Sequence, residues 1–536
     1  MQSQARNTGA LVAVALLAAW TAAMPTGPLR ADEITLRVKG GGLEVKGELK
    51  SFDGVNYVIE APQFGAMTFD ASRVECIGAG CGKRVQAPQP TETLDPASPD
   101  TVAIQAMGPL GLEILPALVK GYAKTIGASV TQVIGANAGE ARLRLEDAGG
   151  ALLATFVVQS SAAEAVSAEG EGPAIVISDH TIEEQSGSRR QGGAGKGEDT
   201  AKETVLASDG LVVVVAPDNA LVSIPEDKLA RVLAGKLTTW VDVGVSGGKI
   251  NVYAVDRASS VMDVVTSELL KPRGLSLADT AIRVANEAAL ADAVTRDANG
   301  IGITSAATLR NAKRLNIEGS CGLITRPTTF AVKAGEYPLK RRIYLSFRRG
   351  GAQPAARGLV RYATSAEAQQ VITETGLVNQ SVEPLPLDEQ KGRMGHAINA
   401  PSRSFDLSAM RELLNDIKGL RRLSVTFRFA GGGPDLDTAS RREVGRLAEL
   451  LAGADYVGKR VLLIGFTDLE GKFSANQNAS ARRAGQVRTQ ILAAAAGRID
   501  GATIGARGYG PLAPVACSDS SERRALNRRV EVWVAE

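Results

Sequence analysis

The sequence predicts an α/β multidomain chain: a small N-terminal β-domain, a two-lobed α/β domain and a C-terminal α/β sandwich. Three observations predict it. At 536 residues the chain exceeds what one core organises, since domains run to roughly 150 residues. Two stretches rich in proline and polar residues, 83–100 and 385–403, interrupt the periodic sequence and read as linkers. The hydrophobic period also changes, from strict alternation before the first linker to strands alternating with helices after it. Hydrophobic content of 44% and charged content of 22% are ordinary for folded protein.

Residues 1–31 read as an export signal. Arg6 supplies positive charge, and "GALVAVALLAAW", Gly9 to Trp20, is an apolar run of twelve residues. A membrane span needs ~20, whereas a secretory signal needs about this length. Cleavage after Ala31 places the first strand just beyond the cut; Ala23 is the other candidate. No cysteine follows either site, so a lipid anchor is not expected. No later segment holds 18 consecutive apolar residues, so the mature chain is expected to be exported without a transmembrane segment.

Residues 33–82 alternate as strands: "ITLRV", "LEVKGELKSF", "NYVIEA", "MTFDA" and "RVECI". A β-domain of this size has a marginal core. Cys76 and Cys81, with two glycines between them, are expected to staple it in an oxidising compartment. Cys321 and Cys517 are distant in sequence; a bridge between domains and a pair of buried thiols both remain open.

Charge and composition exclude several classes of function. A net charge of +3 and 4% aromatic residues argue against nucleic-acid binding. With only two histidines, His180 and His396, histidine zinc sites and histidine-dependent triads have little to draw on. No nucleophile–base pair is visible. Neither catalysis, nor a metal, nor a cofactor is expected.

Residues 101–384 alternate strands and helices, which implies a parallel sheet in an α/β fold of two lobes. "GLVVVVAP" is an apolar strand, "IPEDKLARVLAGKL" a helix, "KINVYAVD" a strand, and "AARGLVRYATSAEAQQVITETG" two short helices. The Gly-rich segment 183–203 lacks the Gly-Lys-Ser/Thr spacing of a phosphate loop and reads as a solvated loop. Residues 404–536 repeat the alternation in "LSVTFRFA", "SRREVGRLAELLAG", "RVLLIGFTD", "SARRAGQVRTQILAAA" and "RRVEVWVA".

In this last domain a carboxylate, Asp468, ends a strand, and Arg483 follows fifteen residues later. Ser480 is a candidate N-cap, which places Arg483 in the first helical turn, where free N–H groups favour anions. Asn476 and Asn478 lie between the two charges. Such a site suits a zwitterion, with its ammonium on Asp468 and its carboxylate on Arg483.

The segments "GFTDLEGKFSANQNASARRA" and "GYGPLAPVACSDSSERRALNRRVEVWV" closely resemble the OmpA-like peptidoglycan-binding domain, over about 130 residues. The resemblance implies that Asp468 and Arg483 grip the diaminopimelate of a peptidoglycan stem peptide. It further implies that Asn476, Asn527 and Arg528 belong to the same site. Ala479, where that family usually has Leu, and Arg523, where it usually has Gly, depart from the pattern.

"ASDGLVVVVAPDNALVSIPEDKLARVLAGKLTTWVDVG", "DANGIGITSA" and "EYPLKRRIYLSF" resemble phosphate-type periplasmic substrate-binding proteins of ABC transporters, across most of 101–384. The resemblance implies an anion held between two lobes by Ser178, Asp179, Ser259 and Ser260, with an ABC permease as a possible partner. The family's first hydroxyl loop is replaced by "GPLG" (108–111), its second by "GANAG" (135–139), and its arginine by Val255; nearby Arg257 is the substitute. Each charge-assisted bond so lost weakens anion binding by about 1.5–3 kcal/mol. Phosphate, another small solute, and no small ligand at all remain open. Together the two resemblances imply a periplasmic solute-binding protein tethered non-covalently to peptidoglycan, at the cell wall or outer membrane. The alternative is a structural envelope protein whose middle domain is a degenerate scaffold.

Overall fold

The computed structural model describes residues 33–38, 44–52, 56–61, 65–71, 74–78, 81, 101–107, 109–134, 140–161, 173–179, 202–255, 259–347, 353–399, 405–430 and 433–536. The expected export segment, the linker 83–100, Gly108, the loop 135–139 and Arg257 lie outside them. The chain divides into two compact units, 1–95 and 96–536.

In the first unit, β1 (Glu33–Val38), β2 (Glu44–Phe52), β3 (Asn56–Ala61), β4 (Gly65–Asp70) and β5 (Val74–Ile77) form an antiparallel sheet in the order β4-β3-β2-β1-β5. Alternation puts Ile34, Leu36, Val45, Leu49, Tyr57 and Ile59 in one core and leaves Lys46, Glu48 and Lys50 in water. Alternation also places Gly47 inward, where a Cβ would stand 2.6 Å from the Glu60 carbonyl oxygen, so only glycine fits without a shift. Cys76 and Cys81 are disulfide-bonded, as expected.

The second unit begins with β6 (Thr101–Met107), α1 (Pro109–Thr125), β7 (Ser129–Ile134), β8 (Glu140–Glu146), β9 (Leu152–Ser161) and β10 (Ile175–Ser178). β11 (Lys202–Val215) crosses into a second lobe. That lobe holds β12 (Ser223–Pro225), α2 (Glu226–Leu233), α3 (Trp240–Val243), β13 (Asn251–Val255), α4 (Ser260–Val264), β14 (Ile282–Val284), α5 (Glu287–Arg296), β15 (Gly300–Ser305), β16 (Lys313–Glu318), β17 (Ile324–Thr325) and α6 (Thr329–Lys333). β18 (Lys340–Phe347) crosses back, and α7 (Pro354–Ala363) and α8 (Ala366–Glu374) complete the first lobe.

The cores show where the lobes divide. Leu206 and Ala207 of β11 pack with Ile104, Phe156 and Leu359, whereas Leu211 to Val215 pack with Leu229, Trp240 and Leu290. The main sheet runs β14-β13-β15-β11-β18-β10-β6-β9-β8-β7. The sheet is mixed rather than parallel. β6 is parallel to β9 and β10, and β13 to β14 and β15, but β11 and β18 are antiparallel to each other. A chain that enters the second lobe and returns must pass the junction in opposite senses, so the two crossing strands pair antiparallel.

The C-terminal domain begins earlier than expected. Within the expected linker 385–403, residues 385–399 are not a free linker, and 400–403 lie outside the described residues. β19 (Pro384–Pro386) pairs with β20 (Leu420–Arg428), and α9 (Lys391–Asn399) buries Arg393, Met394 and Ala397. α10 (Leu407–Asp416), α11 (Thr438–Ala452), β21 (Val461–Gly465), α12 (Phe473–Ala495), β22 (Ile504–Gly508), α13 (Ser521–Asn527) and β23 (Arg529–Ala535) follow. The sheet order is β19-β20-β23-β21-β22. α11 and α12 cover one face through Val444, Leu447, Val487 and Ile491, while α9 and α10 cover the other through Met394, Met410 and Leu413. Asp406 and Asp437 cap α10 and α11 by accepting backbone N–H bonds.

This domain docks on the second lobe. Cys321, between β16 and β17, is disulfide-bonded to Cys517, which closes the alternative the sequence left open. Arg422 is fully buried, pairs with Glu336 and lies 5.2 Å from the Phe330 ring centre. Arg428 donates to the Ala334 carbonyl at 2.8 Å. Among the described residues no helix is long and apolar enough to cross a membrane.

Candidate functional site

Beyond β21 the chain stays paired for two more residues. The Phe466 N–H donates to the Arg529 carbonyl at 2.8 Å, and the Thr467 N–H to the Gly510 carbonyl at 3.0 Å. Asp468 is therefore presented from a fixed end. Its Oδ1 accepts the Glu470 N–H at 3.1 Å, and its Oδ2 accepts from Nη1 of Arg528 at 2.7 Å.

The helix that carries Arg483 starts at Phe473, not near Ser480. Ser480 is buried within it, donating to the Gln477 carbonyl at 2.9 Å and accepting the Gly510 N–H at 3.0 Å. Two glycines let the helix lie directly on the strands. A Cβ on Gly465 would stand 2.0 Å from the Ser480 carbonyl oxygen, and one on Gly508 would stand 2.2 Å from the Ala481 nitrogen. Arg483 is thus in the third turn, and helix-end N–H groups do not contribute beside it. Its guanidinium sits 5.3 Å from the Phe429 ring centre, a cation–π geometry. Burial pulls its pKa below the ordinary value, Arg528 lowers it further and Asp468 opposes both. Asp468, Arg483 and Arg528 thus form one electrostatic group with one net positive charge.

Asn476 lies in the first turn of α12, where its Nδ2 donates to the Glu470 carbonyl at 2.8 Å and ties the Asp468 loop to the helix. Asn527 has a different place. It is buried, its Oδ1 accepts the N–H groups of Val515 and Ala516 at 2.9 and 3.2 Å, and its Nδ2 donates to the Ala516 carbonyl at 2.7 Å. It shapes the loop before α13 and presents no polar atom to Asp468.

The second candidate site lies where the lobes meet. Asp209 of β11 and Arg341 of β18 are register partners at the crossing. Arg341 donates to Asp209 at 2.9 Å, to both oxygens of Glu287 at 2.9 and 3.0 Å, and to Oγ of Ser260 at 2.6 Å. Ser305 donates to Asp209 at 2.7 Å. All of this is buried or nearly so. Burial pushes the Glu287 carboxyl above its ordinary value; Arg341 opposes the rise and Asp209 adds to it.

The predicted solute residues fall around this cluster. Ser178 ends β10 opposite Tyr344, three residues from Arg341 on the same strand, and Asp179 follows, half-buried. Ser259 caps α4 by accepting the Val261 N–H at 3.2 Å. Ser260 accepts from Arg341, so the cation that meets this hydroxyl is Arg341. Sequence reasoning missed it. The available signal was a run of three basic residues, Lys340 to Arg342, opening the strand, with the inward register falling on Arg341.

Residues 115–367 match the family model of the PBP superfamily domain, and residues 428–528 match that of the OmpA family. The chain joins a PBP-like domain to an OmpA-like domain. The phosphate-binding protein PstS of Borreliella burgdorferi is 25% identical over 188 residues, 34% of this chain and 67% of that protein. Outer membrane porin F of Pseudomonas aeruginosa is 37% identical over 113 residues, 21% of this chain and 31% of that protein. The chain therefore spans about a third of the porin. An ABC-type phosphate transport receptor from Vibrio cholerae superposes with a TM-score of 0.36 at 17% identity, covering 52% of this chain and 99% of that one. The relative matched over the PBP-like domain is named as a phosphate-binding protein, and neither curated relative is named for a catalytic activity.

Proposed function

We propose that this is an exported periplasmic protein held on peptidoglycan by its OmpA-like domain, with a PBP-like solute-binding domain carried on that anchor. The observation that supports the anchor is the grouping of Asp468, Arg528 and Arg483. One carboxylate beside two guanidiniums, one of them resting on an aromatic ring, matches a ligand with a free ammonium and a free carboxylate, as on the side chain of diaminopimelate. Asn476 holds the loop on which Asp468 stands. Sedimentation of the full chain with diaminopimelate-type sacculi tests the reading. Wild type co-sediments, while Asp468→Ala and Arg483→Ala stay in the supernatant; retention of both variants would refute it.

A second reading concerns the receptor. Arg341 is already paired with two carboxylates, so an anion at Ser178, Ser259 and Ser260 meets a buried cluster of net negative charge. That favours a neutral or cationic small solute, or a scaffold role, over phosphate. Calorimetry with inorganic phosphate after refolding decides it. No heat at millimolar phosphate is expected, and micromolar binding would restore phosphate, with an ABC permease as the natural partner.

A further inference from the structure

The loop and helix that carry Arg528 are gripped from both sides. On one side stands the second lobe of the PBP-like domain. Cys517 is disulfide-bonded to Cys321, whose own N–H also points at the Cys517 sulfur at 3.1 Å. Gly319 permits the approach, because a Cβ there would stand 2.6 Å from that sulfur. The Ser320 hydroxyl donates to Asp519. Arg523, one of the two departures from the OmpA-like pattern, pairs with Glu226 at the start of α2, a buried carboxylate that also takes Arg273 at 3.1 Å.

On the other side lies the Asp468 loop. Arg524 pairs with Glu470 at 3.2 Å, and Arg528 with Asp468 at 2.7 Å. The neighbours Arg523 and Arg524 thus reach opposite ways, one into the receptor lobe and one into the loop. Asn527 fastens the same segment internally at 515 and 516. From Cys321 and Glu226 to Asp468 there is an unbroken run of covalent, ionic and hydrogen-bonded contacts.

We propose that the second receptor lobe is a positioning element of the anchor: Cys321–Cys517 and Glu226–Arg523 hold residues 515–528 so that Arg528 stands on Asp468, and breaking either weakens binding of a diaminopimelate muropeptide. This rests on the peptidoglycan reading above. The physical cause is ordering. Fixing one residue's backbone costs about 1–2 kcal/mol, so freeing even one residue at the binding loop moves that cost into binding, at about tenfold per 1.4 kcal/mol. Cys321, Glu226 and Arg523 act through Arg528 and touch no ligand themselves.

The test uses the full chain and a disaccharide–tripeptide muropeptide carrying diaminopimelate, with affinity read by calorimetry. Cys321→Ser/Cys517→Ser binds ~10-fold more weakly than wild type, and Glu226→Gln several-fold more weakly. Arg523→Gln weakens binding as Glu226→Gln does, and the two substitutions together weaken it no more than either alone. Reductant weakens wild type as the double serine variant does and leaves that variant unchanged, which removes Cys76–Cys81 as the cause. Reciprocity supplies a readout that loss of stability alone would not give. Saturating muropeptide must make the Cys321–Cys517 bond harder to reduce by the same factor. Unchanged affinity in the double serine variant and under reductant, with Asp468→Ala still abolishing binding, overturns the coupling alone. If Asp468→Ala binds like wild type, the peptidoglycan reading fails and the coupling fails with it.

Discussion

Two arginine–carboxylate groups in this chain have opposite balances. At the lobe junction, one guanidinium faces two carboxylates, Asp209 and Glu287, and every contact is buried. In the OmpA-like domain, two partly exposed guanidiniums accompany one buried carboxylate, Asp468. The first group is closed by its own partners, so its arginine holds strands and helices together across the junction. The second has one net positive charge and an arginine lodged on an aromatic ring, so it suits an incoming carboxylate. The same residue types therefore serve folding in one place and, on the reading proposed here, recognition in the other; what separates them is the balance of charges and the exposure of the arginines.

The largest effect is expected at the junction. Arg341→Met leaves Asp209 and Glu287 buried without their cation and lowers stability by about 3–5 kcal/mol, read by urea denaturation. Adding Asp209→Asn and Glu287→Gln restores much of the loss. A destabilisation below ~1 kcal/mol would place this cluster with ordinary surface pairs.

At the anchor, Arg483→Ala and Arg528→Ala each remove a charge-assisted contact of about 1.5–3 kcal/mol. Muropeptide affinity falls roughly 10- to 150-fold; the unfolding midpoint moves little in Arg483→Ala and falls in Arg528→Ala, which leaves the buried Asp468 without its ion-pair partner. If stability falls and affinity does not, the second group is structural like the first. Phe429→Leu keeps the buried volume apolar and removes the aromatic face under Arg483. Its effect is smaller, about 0.5–1 kcal/mol or a few-fold in affinity.

The last effect is a slope with pH. Burial raises the Glu287 carboxyl above its ordinary value of 4.5, so the folded chain binds this proton more tightly than the unfolded chain. The stabilisation is present below pH 4.5 and is lost as pH rises through the folded value. Glu287→Gln flattens that decline. A variant whose stability still falls with pH as steeply as wild type would exclude Glu287 as its source.

The two groups also differ in how readable they were in the sequence. Asp468 could be found because it breaks an apolar run where a strand ends, and Arg483 because it shares a motif with it. Arg341 shows in the sequence only as a basic residue on the inward register of a strand; its partners Asp209 and Glu287 lie 132 and 54 residues away, so the cluster itself was not legible. The helix start was misplaced for a related reason. Ser480 has the chemistry of a cap, yet its hydroxyl serves Gly510 from inside the helix, while the true boundary residue, Lys472, makes no side-chain cap bond. Residues 385–403 read as a linker because proline and polar residues dominate there. Arg393 instead pairs with Glu531, fully buried on β23, and that carboxylate lies well below its usual range because Arg393, Arg422 and Arg529 outweigh the cost of burial. The alternating strands and the disulfide of the first unit, by contrast, are local features and were legible in full.

The most direct test of the anchor compares two muropeptides that differ only at the third stem residue, diaminopimelate or lysine. Lysine keeps the ammonium that Asp468 would take and lacks the carboxylate that Arg483 and Arg528 would take. Calorimetry on the full chain should give affinity for the lysine form weaker by roughly 10-fold or more, since a charge-assisted bond is lost. Arg483→Ala should bind the two forms alike. Equal affinity of wild type for both muropeptides would contradict the account, because Arg483 and Arg528 would then have no carboxylate to recognise.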